Sequence, residues 1–424
     1  MKVLVIGAGG REHALVRSIA ASRRVSEVVC APGNAGIARL ARCIPASQRD
    51  VDDLLRVVAA ERPDLVVVGP ELPLSLGFVD ELHRRSIPAF GPTQKAAQLE
   101  SSKAFAKRFM QRRQIPTAAY AVATSEQQAL ESIDLFHLPV VIKADGLASG
   151  KGVLICETRR EATEAISSLM AGKLSGGVKG PIVIEEFLTG EEISFLTLTD
   201  GKHVVPLAPA QDHKRIGEGD KGPNTGGMGA YSSDGMVDDQ MRDWIVNHIA
   251  LPAVAGMAAE DSPFIGVLYC GLMMTARGPM VLEFNARFGD PETQAILARL
   301  DTDLVATLEA CVEGRLSETE LRWKPGASAC VIAASAGYPG SFVAGRRIEG
   351  LDEAARVPGV EIFHSGTALV DGHYVTEGGR VLGVTAAAPS LEQSLALVYE
   401  ALGLIQFEGM YYRKDIGRRP LKPA

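Results

Sequence analysis

Glu283, Asn285 and Arg287 stand two residues apart in the stretch Val281-Leu282-Glu283-Phe284-Asn285-Ala286-Arg287-Phe288-Gly289-Asp290-Pro291-Glu292. As a strand, this run puts residues two apart on one face. A carboxylate, an amide oxygen and a guanidinium then stand in a row, about 7 Å per step of two, while Leu282 and Phe284 turn toward the core. Glu and Asn oxygens are hard ligands, suited to Mg²⁺ rather than to zinc or iron. A guanidinium beside them suits a second anion, a carboxylate or phosphate held by two parallel hydrogen bonds. A hard cation next to an anion clamp is what phosphoryl transfer needs. A solvated strand face with alternating charges would give the same spacing, so the rest of the chain has to decide.

Other stretches carry matching chemistry. Leu138 to Ile155 holds two β-branched runs around a loop with Gly146, Gly150, Gly152 and Lys151, and Lys143 lies inside the first run. Such a loop folds over phosphates, donating backbone N–H groups and lysine charge. It is not a Walker A loop, because the spacing is absent and a strand follows. An ammonium inside an apolar strand is costly unless an anion pairs with it. Lys103 opens a helix running to about Arg113 with Phe105, Phe109 and Met110 on its core face. A cation at a helix N-terminus either faces solvent or holds an anion. Ile182 to Phe195 reads as strand, turn, strand, and by itself as a polar hairpin. The charged loop Asp212-His213-Lys214-Arg215 and the glycine-rich Pro223 to Tyr231 are poor core material and suit a site for several anions. A helix over 240–259 and a strand Gly266–Met274 lead back to the opening stretch.

The elements that would position these groups begin at the N-terminus. Strands at Lys2–Ile6, Val25–Cys30, Leu65–Val68 and Pro88–Phe90, with a helix from about Glu12 to Ala21, predict a doubly wound parallel sheet. The glycine-rich loops Gly7–Gly10, Ala31–Gly36, Gly69–Glu71 and Gly91–Thr93 follow strands, at the edge where ligands bind. A nicotinamide dinucleotide fold fails on details. The third glycine position of GxGxxG is Glu12, and the second strand ends in Cys30-Ala31-Pro32 with no acid for a ribose. What remains is a helix N-terminus able to take one phosphate, with Arg11 beside it. Beyond about Pro325 come strands at Ala329–Ala333, Val360–His364 and Arg380–Ala386, a turn at Asp371-Gly372 and a helix over 390–402. The segment Tyr411 to Gly417 is basic enough to reach a phosphate and equally suited to domain packing.

The 424 residues are too many for one core, so several domains are expected. With 46% hydrophobic and 22% charged residues the chain is globular. A net charge of −7 without a polybasic run argues against a nucleic-acid or membrane partner. No apolar run approaches the ~18–20 residues of a membrane span, and the apolar N-terminal run is too short for a signal peptide. The cysteines Cys30, Cys43, Cys156, Cys270, Cys311 and Cys330 show no CxxC spacing and read as reduced, mostly buried thiols of a cytoplasmic protein.

Motifs along the whole chain resemble the phosphoribosylamine–glycine ligases (glycinamide ribonucleotide synthetases), ATP-grasp enzymes of purine synthesis. They run from VLVIGAGGREHAL through APGNAG, GPELPL, GPTQKAAQLESSKAF, VIKADGLASGKGV, IEEFLTGEE, QDHKRIGEGDKGPNTGGMGAY and EFNARFGDPETQ to FHSGT, GGRVL and YRKDIG. The resemblance implies three units: an N-terminal substrate domain over 1–100, an ATP-grasp domain over 101–325 with a mobile lid near 120–190, and a small mixed α+β domain over 326–424. It implies the reaction of ATP, glycine and 5-phosphoribosylamine to glycinamide ribonucleotide, ADP and phosphate through glycyl phosphate. By similarity, Glu283 and Asn285 take Mg²⁺ or Mn²⁺. Lys103, Lys143 and the loop Ser149-Gly150-Lys151 take the ATP phosphates. Glu185, Glu186, Phe187 and Leu188 line the adenine pocket, and Glu191 takes the ribose. Arg287, Lys143, Asp212 and Lys214 serve the chemistry, with Arg287 orienting the reacting carboxylate. Gly9, Gly10, Arg11, Glu12, Asn34, Gly69, Pro70 and Glu71 match the phosphoribosylamine side; Asp212, Arg287, Gly289 and Asp290 lie toward glycine.

Two departures bear on these expectations. Ala8 and Ala286 replace the Asn and Cys of some relatives, and neither removes a named role. Many ATP-grasp relatives carry a further metal carboxylate on the strand before Glu-x-Asn, and Val267 to Met274 has no acid. A monomer in the cytoplasm is expected. Another ATP-grasp carboxylate–amine ligase or carboxylase would share the lysines and Glu-x-Asn-x-Arg but differ in the acceptor loops. A nucleotide-responsive binding protein would not need the metal row aligned with an anion clamp.

Overall fold

The computed structural model describes residues 1–147, 152–172 and 180–418. Five strands, β1 (Lys2–Gly7), β2 (Glu27–Pro32), β3 (Arg42–Cys43), β4 (Leu65–Val68) and β5 (Ala89–Phe90), form a parallel sheet in the order β3-β2-β1-β4-β5. The apolar runs Val3 to Ile6 and Leu65 to Val68 are buried on both faces, as a covered parallel sheet requires. The chain order reverses at β1, so the turns after β1 and β4 open into one crevice. The helix after β1 spans Gly10–Ala20, starting before the expected Glu12, and β2 starts at Glu27 rather than Val25.

A second sheet is built by β6 (Tyr120–Ala123), β7 (Val140–Ala144), β8 (Val153–Cys156) and β9 (Ile182–Glu186), all antiparallel in the order β6-β9-β7-β8. The helices Glu126–Ile133 and Arg159–Met170 cover one side, and this unit has a hydrophobic cluster of its own. The expected hairpin over 182–195 is not one. β9 belongs to this sheet, whereas β10 (Glu191–Asp200) belongs to the next, so Phe187 to Gly190 is a bridge between two sheets.

The central sheet has the order β11-β10-β16-β17, with β11 (Val204–Pro206). Next come β12 (Gln211–Asp212), a ribbon of β13 (Arg215–Gly217) and β14 (Lys221–Asn224), and β15 (Gly229–Ser233). The helical run 239–259 contains one wider π-helical turn at Val246–Ala250. The hairpin β16 (Ile265–Thr275) and β17 (Gly278–Asn285) follows. The N-terminal and central sheets share two hydrophobic clusters: Leu4 and Ile6 join Phe195, Leu268 and Phe284, and Val3 and Val5 join Leu196, Val267 and Tyr269.

The last sheet has the order β12-β15-β18-β22-β19, with β18 (Ala327–Ala334), β19 (Val360–His364) and β22 (Arg380–Ala388), backed by the helix Leu391–Leu404. Two of its strands, β12 and β15, come from before residue 326. The hairpin β20 (Thr367–Val370) and β21 (His373–Thr376) turns at Asp371-Gly372, both at positive φ. Tyr411 to Gly417 is a packing segment: buried Arg413 pairs with Asp220 at 2.9 Å and Asp415 at 2.7 Å and donates to the Arg215 carbonyl at 3.0 Å. Its guanidinium therefore serves protein partners and not a phosphate.

Candidate active site

A cleft of about 980 Å³ lies where these units meet, lined by Arg11 and Glu71 of the first sheet's loops, Lys143 and Glu185 of the second sheet, Glu283 of β17 and Arg380 of β22. β17 supplies its floor. The strict alternation expected there is broken by a bulge at Leu282, between the pairs Gly271–Glu283 and Leu272–Val281. Val281 and Phe284 therefore both enter the core, and Leu282 lines the cleft with Glu283 and Asn285 instead of joining the core. The bulge leaves the Leu282 carbonyl free to accept from Lys143 Nζ at 3.1 Å. Ala286 is buried in the core, turned away from the polar row.

Glu283 sits among cations. Lys214 Nζ is 3.6 Å away and also pairs with Glu192 of β10. Burial alone would raise the Glu283 carboxyl, but the charges of Lys214, Lys143, Lys103 and Arg287 outweigh it and hold the group down at about 2. Glu283 is thus an ionised oxygen donor, with the Asn285 amide oxygen beside it. These two hard donors fit a Mg²⁺-like cation, which would need ligand oxygens and water to complete its shell. Among the described residues no group of three or more His, Cys, Asp or Glu offers a closed protein cage for a metal. β16 brings no acid, as its sequence requires.

The lysines face the same space. Lys103 Nζ donates to the Gly146 carbonyl at 3.0 Å, and burial lowers its pKa. Ser102 caps this helix on the Phe105 N–H, while Asp145 accepts from Ser102 and from the Ala104 N–H at 3.1 Å each, tying the helix start to the β7 loop. Lys143 pairs with Glu185 at 3.0 Å, and Glu185 is shared with Lys107 at 2.9 Å. Lys107 also donates to Thr117 Oγ1 at 2.7 Å, and burial brings it down to about 8. Glu185 is 2% exposed and its Oε1 has no partner among the described residues. Phe187 and Leu188 line the cleft from the bridge between sheets, and Glu191 from the start of β10. Glu186 lines it too, but its carboxylate accepts from the Ala119 N–H at 3.0 Å and pairs with Arg277 at 2.9 Å. Ser149, Gly150 and Lys151 lie outside the described residues.

Arg287 is held by two acids, Glu100 at 2.9 Å and Glu71 at 3.3 Å, and donates to Asn285 Oδ1 at 3.4 Å. Burial lifts Glu100 to about 7 against the pull of Arg287. Glu71 is held low: burial acts to raise it, but Arg287 and Arg11 prevail. The first turn departs from the expected open phosphate site. Glu12 folds back so that its carboxylate accepts from the Gly9 N–H at 2.7 Å and pairs with Arg11 at 2.5 Å. A Cβ on Gly7 or Gly69 would run into the Glu12 side chain, so these glycines make its pocket. The negative group at this helix start is the protein's own. Arg11 also donates to the Phe288 carbonyl at 3.0 Å and still lines the cleft with Pro70 and Glu71. Asn34 is an internal tie and not an open donor: its amide bonds the Ala8 and His364 carbonyls at 2.8 Å each, and its oxygen accepts from Gly36 and Ile37 at 2.9 Å. Gly10 packs against the side chains of Gln294 and Ser365.

Asp290 pairs with Arg380 at 3.2 Å and accepts from Gln294 at 2.9 Å; burial would raise it, but Arg380 and Arg11 hold it low. Arg380 also donates to the carbonyls of Gly226 and Asp290, clamping the glycine-rich loop to the turn after β17. Asp212 lines the cleft, raised well above the ordinary carboxylate range by burial and by the charge of Glu292. Lys214 goes the other way, its charge secured by Glu192, Glu283 and Asp212 against the effect of burial. The sequence reading misses Glu100, Lys107, Glu192, Glu292 and Arg380, all of which line the cleft.

Family models for phosphoribosylglycinamide synthetase match nearly the whole chain: the N domain over residues 1–100, the ATP-grasp (A) domain over 101–293 and the C domain over 328–419. A phosphoribosylamine–glycine ligase of Xanthomonas axonopodis pv. citri is 49% identical over 425 residues, 99% of this chain and 98% of its own. That of Pseudomonas aeruginosa is 47% identical over 426 residues with the same coverage. The crystal structure of phosphoribosylamine–glycine ligase from Thermotoga maritima superposes with a TM-score of 0.86 at 36% identity, covering 98% of this chain and all (100%) of that one. A biotin carboxylase from Campylobacter jejuni shares the fold at a TM-score of 0.75 and 15% identity. The carboxylate–amide–guanidinium row on β17, the lysines facing it and the full-length likeness converge: the chain belongs to the phosphoribosylglycinamide synthetase family, the phosphoribosylamine–glycine ligases, on an ATP-grasp fold.

Proposed function

We infer that the ligation of glycine to 5-phosphoribosylamine runs in this chain through glycyl phosphate, and that β17 and the lysines facing it carry the first half of the reaction. Glycine's carboxylate is a poor acyl donor because its oxygen leaves badly. Transfer of the γ-phosphoryl group of ATP to that oxygen releases ADP and creates a good leaving group. The phosphoribosylamine nitrogen then attacks the carbonyl carbon, loses a proton, and inorganic phosphate departs. Charge gathers first on the transferring phosphoryl group and then on the tetrahedral oxygen, so positive groups fixed around both positions supply most of the catalysis.

The observation that carries this assignment is the row Glu283–Asn285–Arg287 set against Lys103, Lys143 and Lys214 in one cleft. Arg287, already steadied by Glu71 and Glu100, orients the reacting carboxylate. Lys103, Lys143 and the Ser149-Gly150-Lys151 loop hold the ATP phosphates. Glu185 to Leu188 receive the adenine at the bridge between sheets, and Glu191 the ribose. Glu283 and Asn285 hold Mg²⁺ or Mn²⁺, which when bound neutralises charge on the phosphate oxygens. Asp212 and Lys214 border the reaction centre, and Gly289 and Asp290 lie toward glycine. Gly9 to Glu12, Asn34 and Gly69 to Glu71 shape the phosphoribosylamine side. The units 1–100, 101–325 with a lid at 120–190, and 326–424 act together in a cytoplasmic monomer with small-molecule partners only.

The test is ADP formation with Mg²⁺·ATP and phosphoribosylamine generated in situ, with glycine present or omitted. ADP that needs both substrates, matched by glycinamide ribonucleotide, is the expected outcome. ADP formation indifferent to glycine would move the assignment to another carboxylate.

A further inference from the structure

The C-terminal unit brings more to the cleft than Arg380. After β18 the chain runs out through Ser335 to Gly345, and Tyr338, Pro339, Gly340 and Phe342 of this segment line the cleft. Its start is tied down. The Ser335 N–H donates to the Gly379 carbonyl at 2.8 Å, and the Ser335 hydroxyl to the Gly378 carbonyl at 2.9 Å. The Tyr338 ring lies on Gly379, where a Cβ would run into it. The Tyr338 hydroxyl accepts from the Gly226 N–H at 2.9 Å, and Arg380 donates to the Gly226 carbonyl. Both backbone groups of Gly226 are thus held by the C-terminal unit. The loop so held borders the reaction centre: Thr225 donates to the Lys214 carbonyl through its N–H at 2.7 Å and its hydroxyl at 2.9 Å, and Lys214 pairs with Glu283. Beyond Gly340 the hold ends. Among the described residues Ser341 to Ala344 make no hydrogen bond, and the next tie is Gly345, donating to the Thr376 carbonyl at 2.6 Å. Phe342 is 41% exposed and still lines the cleft, so its ring stands at the rim.

We propose, on the footing of the ligase assignment above, that Phe342 is the side chain that keeps water from the activated glycine on the acceptor side of the cleft, and that Tyr338 is the residue that positions it. The chemistry sets the need. Water destroys an acyl phosphate: it adds its oxygen, the link between acyl group and phosphate breaks, and glycine and inorganic phosphate return, so ATP is hydrolysed without product. This loss competes with amine attack from the moment the phosphoryl group has moved, and excluding water is the remedy. The segment faces the acceptor side because Arg380 beside it pairs with Asp290, whose charge also feels Arg11 from the first sheet's loops. An apolar ring at the rim gives water no hydrogen bond, and it gains by turning from solvent onto a filled cleft. The stretch Ser341 to Ala344 has no backbone hydrogen bond to break when it does so. Tyr338 fixes where that stretch begins, on the same loop that holds the Lys214 backbone, so cover and reaction centre keep one register.

The test uses the full-length protein with Mg²⁺·ATP, glycine and phosphoribosylamine generated in situ, and measures ADP and glycinamide ribonucleotide in the same samples. Wild type is compared with Phe342→Ala, Phe342→Leu and Tyr338→Phe. In wild type the two products should form in equal amounts. Phe342→Ala should raise the ADP formed per ribonucleotide about 3- to 10-fold, with the excess ADP requiring glycine, and should leave KM for ATP within about twofold. Phe342→Leu keeps apolar bulk at the rim and should restore most of the coupling. Tyr338→Phe keeps the ring, loses the tie to Gly226, and should give a smaller glycine-dependent excess. A folded Phe342→Ala protein that forms ADP and ribonucleotide in equal amounts overturns the proposal, even if its turnover is lower, because a merely structural role slows both together. Excess ADP that appears without glycine also overturns it, since water then reaches ATP and not the acyl phosphate. If Phe342→Ala fails to fold, Tyr338→Phe, which removes a single oxygen, decides by the same ratio. All these outcomes leave the ligase assignment standing; that assignment falls only if wild-type ADP formation ignores glycine.

Discussion

Glu283 is a metal-ready carboxylate because four cations around it outweigh the burial that would otherwise neutralise it. Glu283→Gln keeps the shape and removes the charge. Turnover should fall about 100- to 1,000-fold while the thermal melt stays close to wild type; unchanged turnover at saturating Mg²⁺ would remove the metal assignment. Glu100 is the residue the spacing rules could not show. It stands three residues before Lys103 near a helix start, where a Glu reads as a surface group. In the folded chain it accepts the Ala286 N–H at 2.7 Å and pairs with Arg287 at 2.9 Å. Its carboxyl is pushed up to about 7 by burial, so protonation weakens the hold on Arg287 as pH falls below that value. The acid limb of wild-type kcat/KM for glycine should therefore lie near neutrality. Glu100→Gln should lower kcat/KM about 10- to 100-fold and remove that limb; a variant with the wild-type pH profile would dismiss the positioning role.

At the scale of elements, Gly190 is a point where one residue decides a junction. It sits between β9 and β10 at φ +153°, and a Cβ there would collide with the Met274 carbonyl of β16. Gly190→Ala should cost about 1–3 kcal/mol in denaturant unfolding. It should also raise KM for ATP, because the displaced backbone is the bridge that Phe187 and Leu188 occupy. A variant with wild-type stability and KM would show that the bridge tolerates the shift. The parallel sheet was legible because its strands are short apolar runs ending in glycine. The site row was legible because charge inside an apolar strand is conspicuous. The bulge at Leu282 left no trace, since an extra residue in a strand changes no residue type. In sequence the bridge at 187–190 looks like a hairpin turn, because local pattern cannot tell which sheet a strand joins. Glu292 and Arg380 were missed for the same reason. Their neighbours come from β10, β16 and the loop near Gly226, distant in sequence.

At the scale of the whole molecule, histidines seal the contact between the N-terminal and C-terminal units. His13 Nδ1 accepts from the His364 N–H at 2.8 Å, and His364 Nδ1 contacts Thr367 Oγ1 at 3.0 Å. Asn34 bonds the His364 carbonyl, and Arg17 reaches Glu361 across the same seam. Burial depresses His13 to about 3 and His364 to about 4, with His13 lowered further by the charge of His364. His213, under the last segment, is lowered to about 4 by burial and by Arg413. An unfolded histidine titrates near 6.5, so between that pH and about 4 the unfolded chain binds protons that the folded chain refuses. Stability is then full above pH 6.5 and is lost as pH falls below it. Each such histidine contributes at most about 1.4 kcal/mol per pH unit in that window. Glu100 and Asp212, raised in the folded chain, take up protons as pH falls and offset part of this loss, so the histidine share is read from the slope of the melting temperature between pH 6.5 and 5 in wild type against a variant that lacks it. Asn places an acceptor where His13 Nδ1 stands, so His13→Asn with His364→Asn should flatten that slope by about two protons' worth while lowering stability at pH 7.5. If the double variant keeps the wild-type slope, the acid sensitivity belongs to other groups and the seam is not its source.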